Sequence, residues 1–132
     1  MNEENEYDLP CEYDNNWTLE AIRCDNMELY YEGLENIRRL KKLKFLSFCN
    51  VQNFDDWCLD RVSGSELESL EVLDLSGTRV TERGLCALYR VPSLKLLIVD
   101  DTKVNKTYEF TCALLEEFIP NVKIKGSALV HN

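Results

Sequence analysis

The stretch VLDLSGTRVTERGLCAL, Val72 to Leu88, decides how this chain is read. It opens as a short apolar run, the mark of a buried strand. It turns at Ser76-Gly77-Thr78, where glycine permits backbone that other residues resist. It then continues with the apolar spacing of a short helix, with Thr81 placed as an N-cap. A strand–turn–helix unit of this size cannot bury its own apolar face. Either it is a stray element, or it has neighbours of the same kind.

It has neighbours. Leu70-x-x-Leu73-x-Leu75 recurs as Leu94-x-x-Leu97-x-Val99, as Leu43-x-x-Leu46-x-Phe48 and, more weakly, as Leu19-x-x-Ile22-x-Cys24. From Leu19 to Leu43 the step is 24 residues, from Leu43 to Leu70 it is 27, and from Leu70 to Leu94 it is 24. L-x-x-L-x-L at a period in the twenties is the signature of leucine-rich repeats. The second half of each unit agrees. Leu34, Ile37 and Leu40 supply the first helix; Phe54, the capping Asp55, Leu59 and Val62 the second. Val80, Leu85, Leu88 and Val91 supply the third before Pro92 stops it, and Phe110, Leu114 and Phe118 the fourth before Pro120. Val122 to Ile124 reads as a closing strand.

The expected fold is α/β: a short leucine-rich-repeat solenoid of about four repeats plus a terminal strand, with parallel strands on the concave face and helices on the convex face. It occupies residues 19–126, between an acidic N-terminal segment, 1–18, and a tail, 127–132. Parallel strands require crossover connections, and each helix is one.

Residues between the strand leucines line the concave face. The first row is Ala21, Phe45, Val72 and Leu96; the second is Arg23, Ser47, Asp74 and Ile98; the third is Asp25, Cys49, Ser76 and Asp100. Phe45, Val72, Leu96 and Ile98 form a contiguous apolar patch, the kind of surface that marks an interface. The candidate partner-binding set is Arg23, Phe45, Ser47, Val72, Asp74, Ser76, Leu96, Ile98 and Asp100. The competing reading is that the N-terminal segment, with Tyr7, Leu9, Tyr13 and Trp17, folds back over the patch.

Composition narrows the function. Lys and Arg total 15 and Asp and Glu 24, a formal charge of −9, which argues against nonspecific nucleic-acid binding. The charge is uneven: residues 1–16 hold six acids and no Lys or Arg, whereas Arg38, Arg39, Lys41, Lys42 and Lys44 crowd one short run. Both read as solvated segments or as docking elements. No apolar run is long enough to span a membrane. The acidic N-terminus reads as neither a secretory signal nor a transit peptide. Cys11, Cys24, Cys49, Cys58, Cys86 and Cys112 form no C-x-x-C, and the one histidine is His131, so a zinc site is not expected. The thiols read as small hydrophobes rather than as a disulfide scaffold. No nucleophile–base pair or phosphate-binding loop is legible, and the Asp55–Asp56 and Asp100–Asp101 pairs read as caps and turns rather than Mg²⁺ or Ca²⁺ ligands. Neither catalysis nor a cofactor or metal is expected.

FDDWCLDRV, then LEVLDLSGTRVTERGLCALYRVPSLKLLIVDD, then LLEEFIPNVKIKG, in that order, carry a family resemblance over roughly Ala21 to Gly126. The chain resembles the mitochondrial family of ATP synthase subunit s (coupling factor B) and the distal membrane-arm assembly component of respiratory complex I. D-D-W-C-L together with L-L-E-E-x-x-P-N-V brings it nearer the assembly component. The resemblance implies a matrix protein, peripheral to the inner membrane, that binds complex I membrane-arm subunits or fellow assembly factors. A coupling role in the ATP synthase is the alternative. V-T-E-R-G-L also resembles the cysteine-containing repeats of F-box proteins, giving a third reading: a substrate-recognition module of a ubiquitin ligase lacking its F-box.

Overall fold

The computed structural model describes residues 19–63, 67–100, 102 and 108–126. Cys11, the N-terminal Tyr7, Leu9, Tyr13 and Trp17, Asp101 and the tail from residue 127 lie outside them. The order is β1 (Ala21–Arg23), α1 (Tyr31–Ile37), β2 (Phe45–Ser47), α2 (Asp56–Ser63), β3 (Val72–Asp74), α3 (Glu82–Leu85) running into a 3-10 turn (Cys86–Arg90), β4 (Leu96–Ile98), α4 (Tyr108–Phe118) and β5 (Lys123–Lys125). The five strands form one parallel sheet in chain order. The closing strand sits one residue later than the sequence predicts.

Residues at equivalent positions of the sequence pattern are also hydrogen-bond equivalents. Ile22, Leu46, Leu73, Leu97 and Ile124 stand side by side across the sheet, between the row from Ala21 to Lys123 and the row from Arg23 to Lys125. The ladder continues past each strand: the amides of Cys24, Phe48, Leu75 and Val99 donate to the carbonyls of Ser47, Asp74, Ile98 and Lys125 at 2.7–2.9 Å. Further along, Asn26, Asn50 and Gly77 donate to Cys49, Ser76 and Asp100 in the same way. These three residues share left-handed backbone, with φ of 61°, 61° and 72°. Asparagine and glycine are the residues that visit this region readily. A Cβ on Gly77 would come within 2.1 Å of Asn50 Oδ1, so at this position glycine also makes room for its neighbour.

The leucines fill the layer between sheet and helices. Leu43, Leu46, Phe48, Leu70, Leu73, Leu75, Leu94, Leu97 and Val99 are buried, as are Leu34, Ile37, Leu40, Phe54, Leu59, Val62, Val80, Leu85, Leu88 and Val91. Phe48 and Phe54 stack with ring centroids 4.1 Å apart. Leu19 and Ile22 are only partly covered, as befits the first strand of a stack.

Two expectations are corrected. Phe110 and Phe118 of α4 are 68% and 61% exposed, and Leu114 is exposed with them; Thr111, Cys112, Leu115 and Ile119 are buried instead. The helix carries two apolar stripes with four-residue spacing, and periodicity alone does not say which one faces in. The cysteines also divide: Cys24 and Cys112 are buried, Cys49 and Cys58 half-buried, and Cys86 exposed. All five are free thiols.

Candidate protein-binding face

On the sheet face away from the helices, pairing places Phe45, Val72 and Leu96 next to one another, flanked by Ala21 and Lys123. Phe45, Val72, Leu96 and Ile98 are half-buried, leaving part of each side chain accessible. Their alternation with fully buried leucines follows from the two-residue period of a strand. The four predicted apolar residues are therefore brought together. Arg23 at the β1 end is exposed, and its guanidinium lies over the Phe45 ring, 4.8 Å from the centroid. Contacts of this kind are worth about 0.5–1 kcal/mol at exposed sites.

Polar residues beyond this strip bind one another. Asp25 Oδ2 pairs with Arg23 Nη1 at 3.1 Å, and Asp25 Oδ1 accepts from the Ser47 hydroxyl at 2.6 Å and from the Cys49 amide at 3.0 Å. Asp74 Oδ1 accepts from the Ser76 amide at 3.0 Å, and the Asp100 amide donates to Ser76 Oγ at 3.2 Å. Ser47 is the member of the predicted set that the structure removes. It is 0% exposed, because its short side chain lies beneath Asp25 and its hydroxyl is committed there. Asp74, Ser76 and Asp100 remain at the surface, Asp100 the most exposed.

Sequence reasoning missed Lys123 and Lys125. They complete the first and second rows beside Leu96 and Ile98, and both are exposed. Extending the alternation through the closing strand would have found them. The face is thus an apolar strip with a cation at either end, Arg23 on β1 and Lys123 and Lys125 on β5, bordered by Asp74 in the second row and by Asp25 and Asp100 in the third.

The thiols near this face are poorly suited to nucleophilic chemistry. Burial, then the neighbouring Asp74 and Asp25 carboxylates, pushes Cys49 up; burial, then Asp25, pushes Cys24 up to about 12. Both therefore favour the neutral thiol at physiological pH. Among the described residues no group of three or more His, Cys, Asp or Glu side chains could hold a metal ion. No helix among them is long and apolar enough to cross a membrane. What the face offers is shape, apolar area and charge, which suits recognition.

The chain is 56% identical to Distal membrane arm assembly component 2 of Drosophila melanogaster over 127 residues, 96% of this chain and 45% of that protein. It is 24% identical to the mitochondrial ATP synthase subunit s of Bos taurus over 112 residues, 83% of this chain and 56% of that protein. The chain thus spans about half the length of these curated relatives. Among solved structures, Leiomodin-1 Actin-Binding Site 2 superposes with a TM-score of 0.68 at 16% identity, covering 80% of this chain and 69% of that one. At that identity the likeness is one of fold: a leucine-rich-repeat-like domain. No protein-family model matches the chain.

Proposed function

We propose, from the 56% identity to a distal membrane arm assembly component along nearly the whole chain, that this protein is a non-catalytic scaffold for assembling the distal membrane arm of respiratory complex I. In this reading it is a short leucine-rich-repeat solenoid of four units and a closing strand. Its strands line a concave face that grips a membrane-arm subunit or a fellow assembly factor. It works in the mitochondrial matrix, peripheral to the inner membrane. The structural observation that carries the reading is the lateral row Phe45–Val72–Leu96, partly accessible, with the Arg23 guanidinium over the Phe45 ring at one end and Lys123 beside Leu96 at the other. Partly exposed apolar side chains gathered in one patch are costly to leave wet and gain from a partner. The charged ends favour orientation and rate of encounter over raw affinity.

The test is a double substitution, Phe45→Ser with Leu96→Ser, in the full chain. Co-purification with complex I membrane-arm subassemblies should be lost while cooperative thermal unfolding is retained. Binding that persists, or a domain that no longer folds, overturns the assignment of this face. The 24% likeness to ATP synthase subunit s supports one alternative, a coupling component of the synthase. In that case the protein would co-purify with the synthase membrane sector instead.

A further inference from the structure

A second surface, on the helix side and far in function from the sheet face, has its own chemistry. Where α1 and α2 begin, the chain opens a pocket of about 310 Å³. Leu29 and Leu34, both buried, line it together with Tyr30, Tyr31, Trp57 and Asp55. Each of the three aromatic side chains is more than half exposed, although such residues bury large apolar areas when packed. The Tyr31 and Trp57 rings lie 6.3 Å apart and tilted by 32°.

The protein already stacks one cation on this pair. Arg61, one turn beyond Trp57 on α2, holds its guanidinium 5.6 Å from both ring centroids and donates from Nη2 to the Tyr31 hydroxyl at 3.2 Å. That cation is neutralised from the other side by Glu35. Among the described residues that line the pocket there is no Lys or Arg. Asp55 Oδ1 caps α2 by accepting the Cys58 amide at 3.1 Å, and among the described residues Asp55 forms no ion pair. Glu28, which accepts from the Tyr30 hydroxyl at 3.0 Å, adds a second carboxylate nearby. Aromatic faces with an unneutralised carboxylate attract a cation and disfavour an anion.

We propose that this pocket is a binding site for an arginine side chain presented by a partner polypeptide, with Tyr31 and Trp57 as the stacking faces and Asp55 as the charge partner. A planar guanidinium is the cation these rings already accommodate in Arg61, and it is more weakly hydrated than an ammonium. The site is independent of the sheet face, so it stands or falls separately from the proposed assembly role.

The experiment is a titration of the ¹⁵N-labelled full chain with acetyl-arginine amide, following the Trp57 indole N–H; Trp17→Phe identifies that signal. Sodium chloride at equal ionic strength and acetyl-glutamine amide serve as controls, and tetramethylammonium as the competing cation. The expected result is a saturable shift at Trp57 with arginine amide and none with the controls. Asp55→Asn keeps a capping side chain while removing the charge, and Tyr31→Leu keeps apolar bulk while removing the ring. Each should weaken binding by about two- to fivefold, the scale of an exposed cation–π contact. A Trp57 signal that does not move, moves equally with sodium chloride, or is indifferent to both substitutions overturns the proposal. Saturation by tetramethylammonium but not by arginine amide overturns it too, assigning the pocket to a quaternary ammonium.

Discussion

At the scale of single residues, the structure is held by contacts that cross from one strand–helix step to the next. Asp56 is the clearest case. Its Oδ1 accepts the Thr81 amide at 2.7 Å and its Oδ2 the Thr81 hydroxyl at 2.6 Å; the same hydroxyl accepts the Arg83 amide at 3.2 Å and so caps α3. Gly84 makes this possible, since a Cβ there would lie 2.2 Å from Asp56 Oδ1. The capping roles of Asp55 and Thr81 were legible because their partners lie within three residues. Asp56 was not, because its partner is 25 residues away. Asp56→Ala should cost about 1–3 kcal/mol in chemical denaturation, since it strands a donor as well as removing bonds. In a double-mutant cycle with Thr81→Val the two losses should fall well short of additive. Gly77→Ala should cost about 1–3 kcal/mol, combining left-handed backbone with the clash on Asn50. Glu35 gives a pH signature. The hydrogen bond from Arg61, and then that from Arg38, holds its carboxyl below the usual range against the opposing effect of burial. A depressed folded-state pKa means stabilisation that is present above the ordinary carboxylate range and lost as pH falls through the folded value. The Tm difference between the wild type and Glu35→Gln should therefore be largest near neutrality and shrink on acidification.

At the scale of elements, the strand pattern was more informative than the helix pattern. Each strand offers a single choice, since a slip of one residue would turn its leucines outward. The α4 helix offers two, because Phe110, Leu114 and Phe118 are as well spaced as Thr111, Leu115 and Ile119. The inner choice is set by contact with α3 and the 3-10 turn, which local sequence does not encode. Leu115→Ala should therefore cost about 2–5 kcal/mol, and Leu114→Ala less than about 1 kcal/mol. Equal losses would place both stripes in the core. The third helix shows a different limit. Leu85, Leu88 and Val91 are spaced by three, and the chain realises that spacing as a short α-helix tightened into a 3-10 turn. Three residues per turn brings all three onto the buried side.

At the scale of the whole molecule, the parallel register of the first four strands follows from steps of 24, 27 and 24 residues, because equal positions come together when each helix returns the chain by one strand spacing, and β5 joins the same sheet beside β4. The apolar strip of the sheet face was legible for the same reason. Its detail was not: Ser47 is withdrawn beneath Asp25 by a hydrogen bond from β2 to the turn after β1, and Lys123 and Lys125 enter from a closing strand whose core signal is only Val122 and Ile124. In the function proposed above, this face, set between Arg23 and the β5 lysines, captures a protein during complex I assembly. Native gel electrophoresis of mitochondrial complexes, comparing the wild type with the Phe45→Ser, Leu96→Ser double variant at matched abundance and matched thermal stability, tests it most directly. If the face captures such a partner, the wild type co-migrates with complex I membrane-arm subassemblies and the variant runs free of them. Equal co-migration of the two proteins, or absence of the wild type from every such subassembly, would contradict it.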